Sequence, residues 1–89
     1  MEAISGREPS NIESYDFFTR KVRGEEGWEM VIFERRTKVE YSRVFHYLKD
    51  ASFTLARFKE LAQSKDTCGF YNMLEELQEN DYLVRTEGK

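Results

Sequence analysis

An 89-residue chain points to one small domain, and a charged fraction of 35% with 15% aromatic residues argues for a folded rather than a disordered one. A net charge of −3 gives no overall basic footprint for nucleic acid. One cysteine excludes an internal disulfide framework, and no window holds the roughly 18 apolar residues of a membrane span. Residues 1–8 show no apolar run and no cleavage pattern, so a cytoplasmic protein is expected. The charge is uneven along the chain: residues 1–18 carry −3, residues 19–43 and 44–65 each +2, and residues 66–89 −4.

Residues 1–14, with Gly6, Pro9, Ser10 and Asn11, read as a flexible N-terminal tail, and residues 15–89 as a single small α+β domain. Tyr15 to Arg23 and Trp28 to Arg35 are rich in aromatic and β-branched types. With Gly24, Glu25, Glu26 and Gly27 between them they predict a β-hairpin. A competing reading makes residues 11–23 a helix, since Ser10 and Glu13 form a capping-box pattern and Gly24 suits a C-terminal stop.

Three helices are then expected. Tyr41, Val44, Phe45 and Leu48 stand at i, i+3, i+4 and i+7 and predict a helix over about 39–50. Leu55, Phe58, Leu61 and Ala62 mark a second, capped by Ser52 or Thr54. Phe70, Met73, Leu74 and Leu77 mark a third, capped by Asp66 or Thr67 and ended by Asn80 and Asp81. Tyr82 to Thr86 reads as a short strand, which needs an edge to pair with, and the N-terminal hairpin is the only one visible. The predicted fold class is therefore α+β: an N-terminal β-hairpin, three helices and a short C-terminal strand. Phe45, Leu48, Phe58, Leu61, Phe70, Leu74 and Leu77 form the candidate core.

Residues 74–86, reading LEELQENDYLVRT, resemble the passage from recognition helix to wing in winged-helix domains. Two leucines three apart close a helix, a turn residue follows (Asp81 where the family usually has Gly), and an apolar strand begins. Helices over 43–50, 54–62 and 67–79 would supply the family's order, so the resemblance covers about residues 41–86. It implies a DNA-binding regulator whose third helix presents Lys65, Thr67, Tyr71 and Asn72 to the duplex. The sequence departs from the pattern in its short linker, 63–66, and in the three residues that follow Thr86 where a return strand would run. Glu75, Glu76 and Glu79 on the same helix oppose phosphate.

No catalytic set is legible. His46 is the one histidine and Cys68 the one thiol, and neither sits in an activating motif. His46 reads as a surface residue and Cys68 as a half-buried structural one. Cys68 lacks a CxxC partner, the glutamates of the third helix read as a solvated face, and no phosphate-cradling loop is present, so no metal or cofactor is expected. The hairpin carries Arg20, Lys21, Arg23, Arg35, Arg36 and Lys38 among aromatic side chains, a pattern that suits single strands of nucleic acid but is diluted by Glu25, Glu26, Glu29 and Glu34. The leading expectation is a non-enzymatic regulatory or adaptor module that meets another protein, one with an acidic patch, through Arg35, Arg36, Arg20, Arg23 and Trp28.

Overall fold

The run Met30, Val31, Ile32 is wholly buried, three neighbours in sequence that must face alternate sides of any strand. A strand buried on both faces sits inside a sheet, with partners on both edges. The computed structural model, which describes residues 14–87, shows this arrangement. Strands β1 (Tyr15–Lys21), β2 (Trp28–Glu34) and β3 (Val39–Phe45) are followed by helices α1 (Leu48–Ser64) and α2 (Thr67–Glu79) and by strand β4 (Val84–Glu87). The four strands form one antiparallel sheet in the order β1-β2-β3-β4.

The predicted hairpin forms, and residues 15–21 of the competing helix are strand. The predicted tail lies outside the described residues except for Ser14. The three-helix expectation is corrected: residues 39–45 are strand, and two helices stand where three were predicted. The spacing of Tyr41, Val44, Phe45 and Leu48 fits a helix face. The same stretch also alternates, with Val39 and Tyr41 buried beside the helices and Val44 exposed on the other side. The open edge of β2 decides between the two patterns, because its backbone groups need a partner there. Two of the three helices that the winged-helix resemblance needs are therefore formed, and the first is replaced by β3. The C-terminal strand pairs with β3 and not with the hairpin.

With β3 ending at Phe45, α1 begins earlier than Ser52 or Thr54. Tyr47 stands at its N-cap without a side-chain hydrogen bond, and Ala51, Leu55, Phe58 and Ala62 form its buried stripe. The cap of α2 is the expected one, since the Asp66 carboxylate accepts from the Gly69 amide at 2.7 Å. Its end is also as expected. Asp81 takes φ 65°, its amide donates to the Gln78 carbonyl, and the Tyr82 amide donates to the Leu77 carbonyl at 2.9 Å.

Both helices cover one face of the sheet. Met30, Ile32, Tyr41, Phe58, Phe70 and Leu74 belong to that core, with Phe45, Leu61 and Leu77 packed at its margin. Leu48, expected in the core, is 41% exposed because it opens the first turn of α1. Among the described residues, neither helix packs on the other sheet face. Phe18, Val31, Ser42 and Val84 are cross-strand neighbours there. Arg20 reaches across β2 on this face to join Glu29 on β2 and Glu40 on β3.

Leu74→Ala should lower stability by about 2–5 kcal/mol in urea unfolding, whereas Leu48→Ala should stay within about 1 kcal/mol. Equal losses at the two positions would contradict this division of core and surface.

Candidate functional site

The turn between β2 and β3 builds one wall of a recess. Its four residues, 35–38, are closed by the Lys38 amide donating to the Glu34 carbonyl at 2.8 Å, with Lys38 in the left-handed region at φ 65°. Met30, Ile32 and Glu34 share one side of β2, so the strand's alternation carries the Glu34 carboxylate to the helix face, where only 4% of the residue is exposed. The turn satisfies it. The Thr37 amide and hydroxyl each donate to Oε1 at 2.8 Å, and Arg36 Nε donates to Oε2 at 3.1 Å. Burial pushes the carboxyl upward, but the bonds from Thr37 and Arg36 outweigh it and hold Glu34 below the usual carboxylate range.

This use of Arg36 leaves its side chain 71% exposed. Nε is engaged, and the two terminal nitrogens have no partner among the described residues. They form a free planar fork of the kind that grips a carboxylate or phosphate with two bonds.

Three strands and α2 complete the recess, whose volume is about 250 Å³. Tyr15 comes from β1 and stands edge-on to Phe70 at 5.1 Å between ring centres. Its hydroxyl has no hydrogen-bond partner among the described residues, although the residue is only 4% exposed. Burial, helped by the nearby Glu34 carboxylate, pushes Tyr15 up to about 12. Tyr41 on β3 donates to Glu75 of α2, and burial together with that bond raises its pKa. Arg85 on β4 lies 3.4 Å from the same Glu75 oxygen and also pairs with Glu87. Cys68, Tyr71 and Asn72 line the α2 side.

The cavity is close to electrically balanced, since each guanidinium stands beside a carboxylate of the fold. Its character is aromatic, with hydroxyl, amide and guanidinium groups at the rim. At this volume, below the roughly 300–1,000 Å³ of small-molecule sites, it suits one side chain or one chain end. Set against protein-family models, curated proteins and solved structures, the chain matches none.

The recess unites residues that the sequence assigned to rival readings. Arg36, expected at a protein contact, meets Tyr71 and Asn72, expected at DNA. The remaining candidates lie elsewhere. Arg35 points to the open sheet face, 3.6 Å from Asp16. Arg20 is on that face too, tied to Glu29 and Glu40. Arg23 is exposed in the β1–β2 loop. Trp28 stands at the opposite end of the sheet, with Lys21 Nζ 5.5 Å from its ring centre. Lys65 follows the end of α1, and Thr67 opens α2. Cys68 is exposed where a half-buried thiol was expected.

Sequence reasoning missed Tyr15, Glu34, Thr37, Tyr41 and Arg85 as site residues. One signal was present: an acid, Glu34, closing the apolar run Met30 to Phe33, followed three residues later by a threonine. Among the described residues, no group of three or more His, Cys, Asp or Glu could hold a metal ion, and no helix is long and apolar enough to cross a membrane.

From about pH 10 to 12 the folded protein keeps a proton on Tyr15 that the unfolded chain has released, so stability falls as pH rises through that window. Urea midpoints should drop across it, and they should drop less in Tyr15→Phe. Identical pH slopes for the two proteins would show that Tyr15 titrates normally.

Proposed function

We propose that this chain is a non-enzymatic regulatory or adaptor module that binds another protein by seating an acidic side chain or a C-terminal carboxylate in the recess. The free fork of Arg36 at the rim of an aromatic cavity carries this reading. A carboxylate there would take two bonds from Arg36, and the Tyr15 hydroxyl, without a partner among the described residues, is a further donor within the same cavity. Tyr15, Tyr41 and Tyr71 suit the apolar part of such a segment, since Tyr and Arg are favoured anchors at interfaces. The exposed thiol of Cys68, with no second cysteine in the chain, suits a reducing, cytoplasmic setting. Among the described residues no imidazole lines the recess beside that thiol, since His46 stands edge-on to Tyr47 in the link between β3 and α1.

DNA binding through α2 is the second reading, favoured by exposed Tyr71 and Asn72. Glu76 and Glu79 are exposed further along the same helix and oppose it.

The two adjacent arginines separate the readings from surface charge at large. Wild type, Arg36→Glu and Arg35→Glu are compared in a chemical-shift titration with a short peptide that ends in Glu. Arg36→Glu should weaken binding by about tenfold or more, the loss expected for a charge-assisted pair turned repulsive, and Arg35→Glu should not. Equal effects of both would remove the recess from the interface. Sequence-specific binding of duplex DNA near 10⁻⁹ M, far below the roughly 10⁻⁴ to 10⁻⁶ M of phosphate contacts alone, would favour the second reading.

A further inference from the structure

Strand β1 is a sheet edge, and its hydrogen-bonding side can be read from its ends. The Arg35 amide donates to the Ser14 carbonyl at 3.1 Å, and the Val22 amide donates to the Gly27 carbonyl at 3.2 Å. Both pairs lie on the register that joins Tyr15 to Glu34 and Lys21 to Trp28. Bonded pairs alternate along an antiparallel ladder. Asp16, Phe18 and Arg20 therefore direct their backbone groups at β2. Tyr15, Phe17, Thr19 and Lys21 direct theirs outward, four amides and four carbonyls along a free edge.

Among the described residues no strand pairs with that edge. It is seven residues long, with no proline, no bulge and a single lysine at its end. On its open face stand Asp16, Phe18 and Arg20 in that order, and Phe18 is 39% exposed.

The geometry points to a second copy of this chain as the occupant: β1 pairs antiparallel with β1 of a partner about a twofold axis at Phe18. In that register Tyr15 faces Lys21 and Phe17 faces Thr19 of the other copy, so every outward amide and carbonyl finds its counterpart. Phe18 then faces its own copy in a non-bonded pair, the closer of the two spacings. Asp16 faces Arg20 on both sides of the axis, opposite charges directly across the strands. Both side chains are about half exposed, 48% and 44%, Asp16 lies 3.6 Å from Arg35, and Arg20 also joins Glu29 and Glu40, pairs that the twofold contact would have to share or exchange. The two sheets become one of eight strands, an isologous arrangement in which a single surface serves both partners.

The full chain is tested by light scattering after size exclusion across a concentration series. A dimer mass that dissociates on dilution is expected. Thr19→Pro removes an outward amide but no bond to β2, a position where an edge strand tolerates proline. It should give a folded monomer. Asp16→Arg and Arg20→Asp each place like charges across the axis and should weaken self-association by about tenfold or more. Mixed in equal amounts, these two proteins should form a heterodimer, because arginines then face aspartates at both ends. A monomer mass for the unsubstituted chain up to its solubility limit would overturn the proposal. So would a dimer that persists in folded Thr19→Pro, or an equimolar mixture of the charge variants that stays monomeric.

Discussion

Strand β2 cannot exist without neighbours on both edges, and the rest of the fold follows from that requirement. Met30 and Ile32 are buried under the helices, and Val31 is buried on the opposite face. No water reaches this stretch, so its amides and carbonyls must be paired within the protein. β1 meets half of the demand and β3 the other half. Once residues 39–45 are committed to the sheet, α1 must start at the next available turn. The chain returns after α2 beside β3, one of the sheet's two edges. The turn that joins β2 to β3 is the shortest route between two strands in this register, and it creates the recess. It buries Glu34, engages Arg36 through Nε and turns the rest of that guanidinium outward.

The sheet gives its two faces different work. The helix face holds the core, and where the helices stop short of the β2–β3 turn it leaves the tyrosine-lined cavity. The open face is held by ion pairs, with Arg20 lying across β2 between two glutamates. Adjacent arginines at a strand end are thereby assigned to different environments: Arg35 beside Asp16 on the open face, Arg36 beside Glu34 at the recess. Tyr15 belongs to both proposed surfaces, its side chain to the recess and its backbone to the β1 edge, while the other residues of the two surfaces differ.

Local chemistry made much of this legible in the sequence. Gly24 and Gly27 marked the hairpin loop, and both take positive φ. Asp66 declared the start of α2 through its side-chain cap, and Asp81 its end. The segment around Tyr41 was misread because its apolar residues fit two periods at once. The choice between them lies with the partner strand β2, where Ile32 faces Tyr41, and the periodicity of residues 39–50 alone carries no sign of that pairing. Leu48 was misread for the same reason: it completed a helical stripe that never forms. The site was harder still. Tyr15, Glu34, Tyr41 and Arg85 come from four different strands, and no sequence spacing unites them. Glu34 alone carried a local sign, its position on the buried side of an alternating strand.

The account turns on residues 39–45 being the strand that completes β2, and nuclear magnetic resonance reads this directly. Extended-chain chemical shifts should run from Val39 to Phe45, with cross-strand contacts from Val31 to Ser42 and from Ile32 to Tyr41. The amides of Met30, Val31 and Ile32 should exchange only on global unfolding. Helical shifts over 39–50, with rapid exchange on one edge of β2, would contradict the fold and the recess built on it.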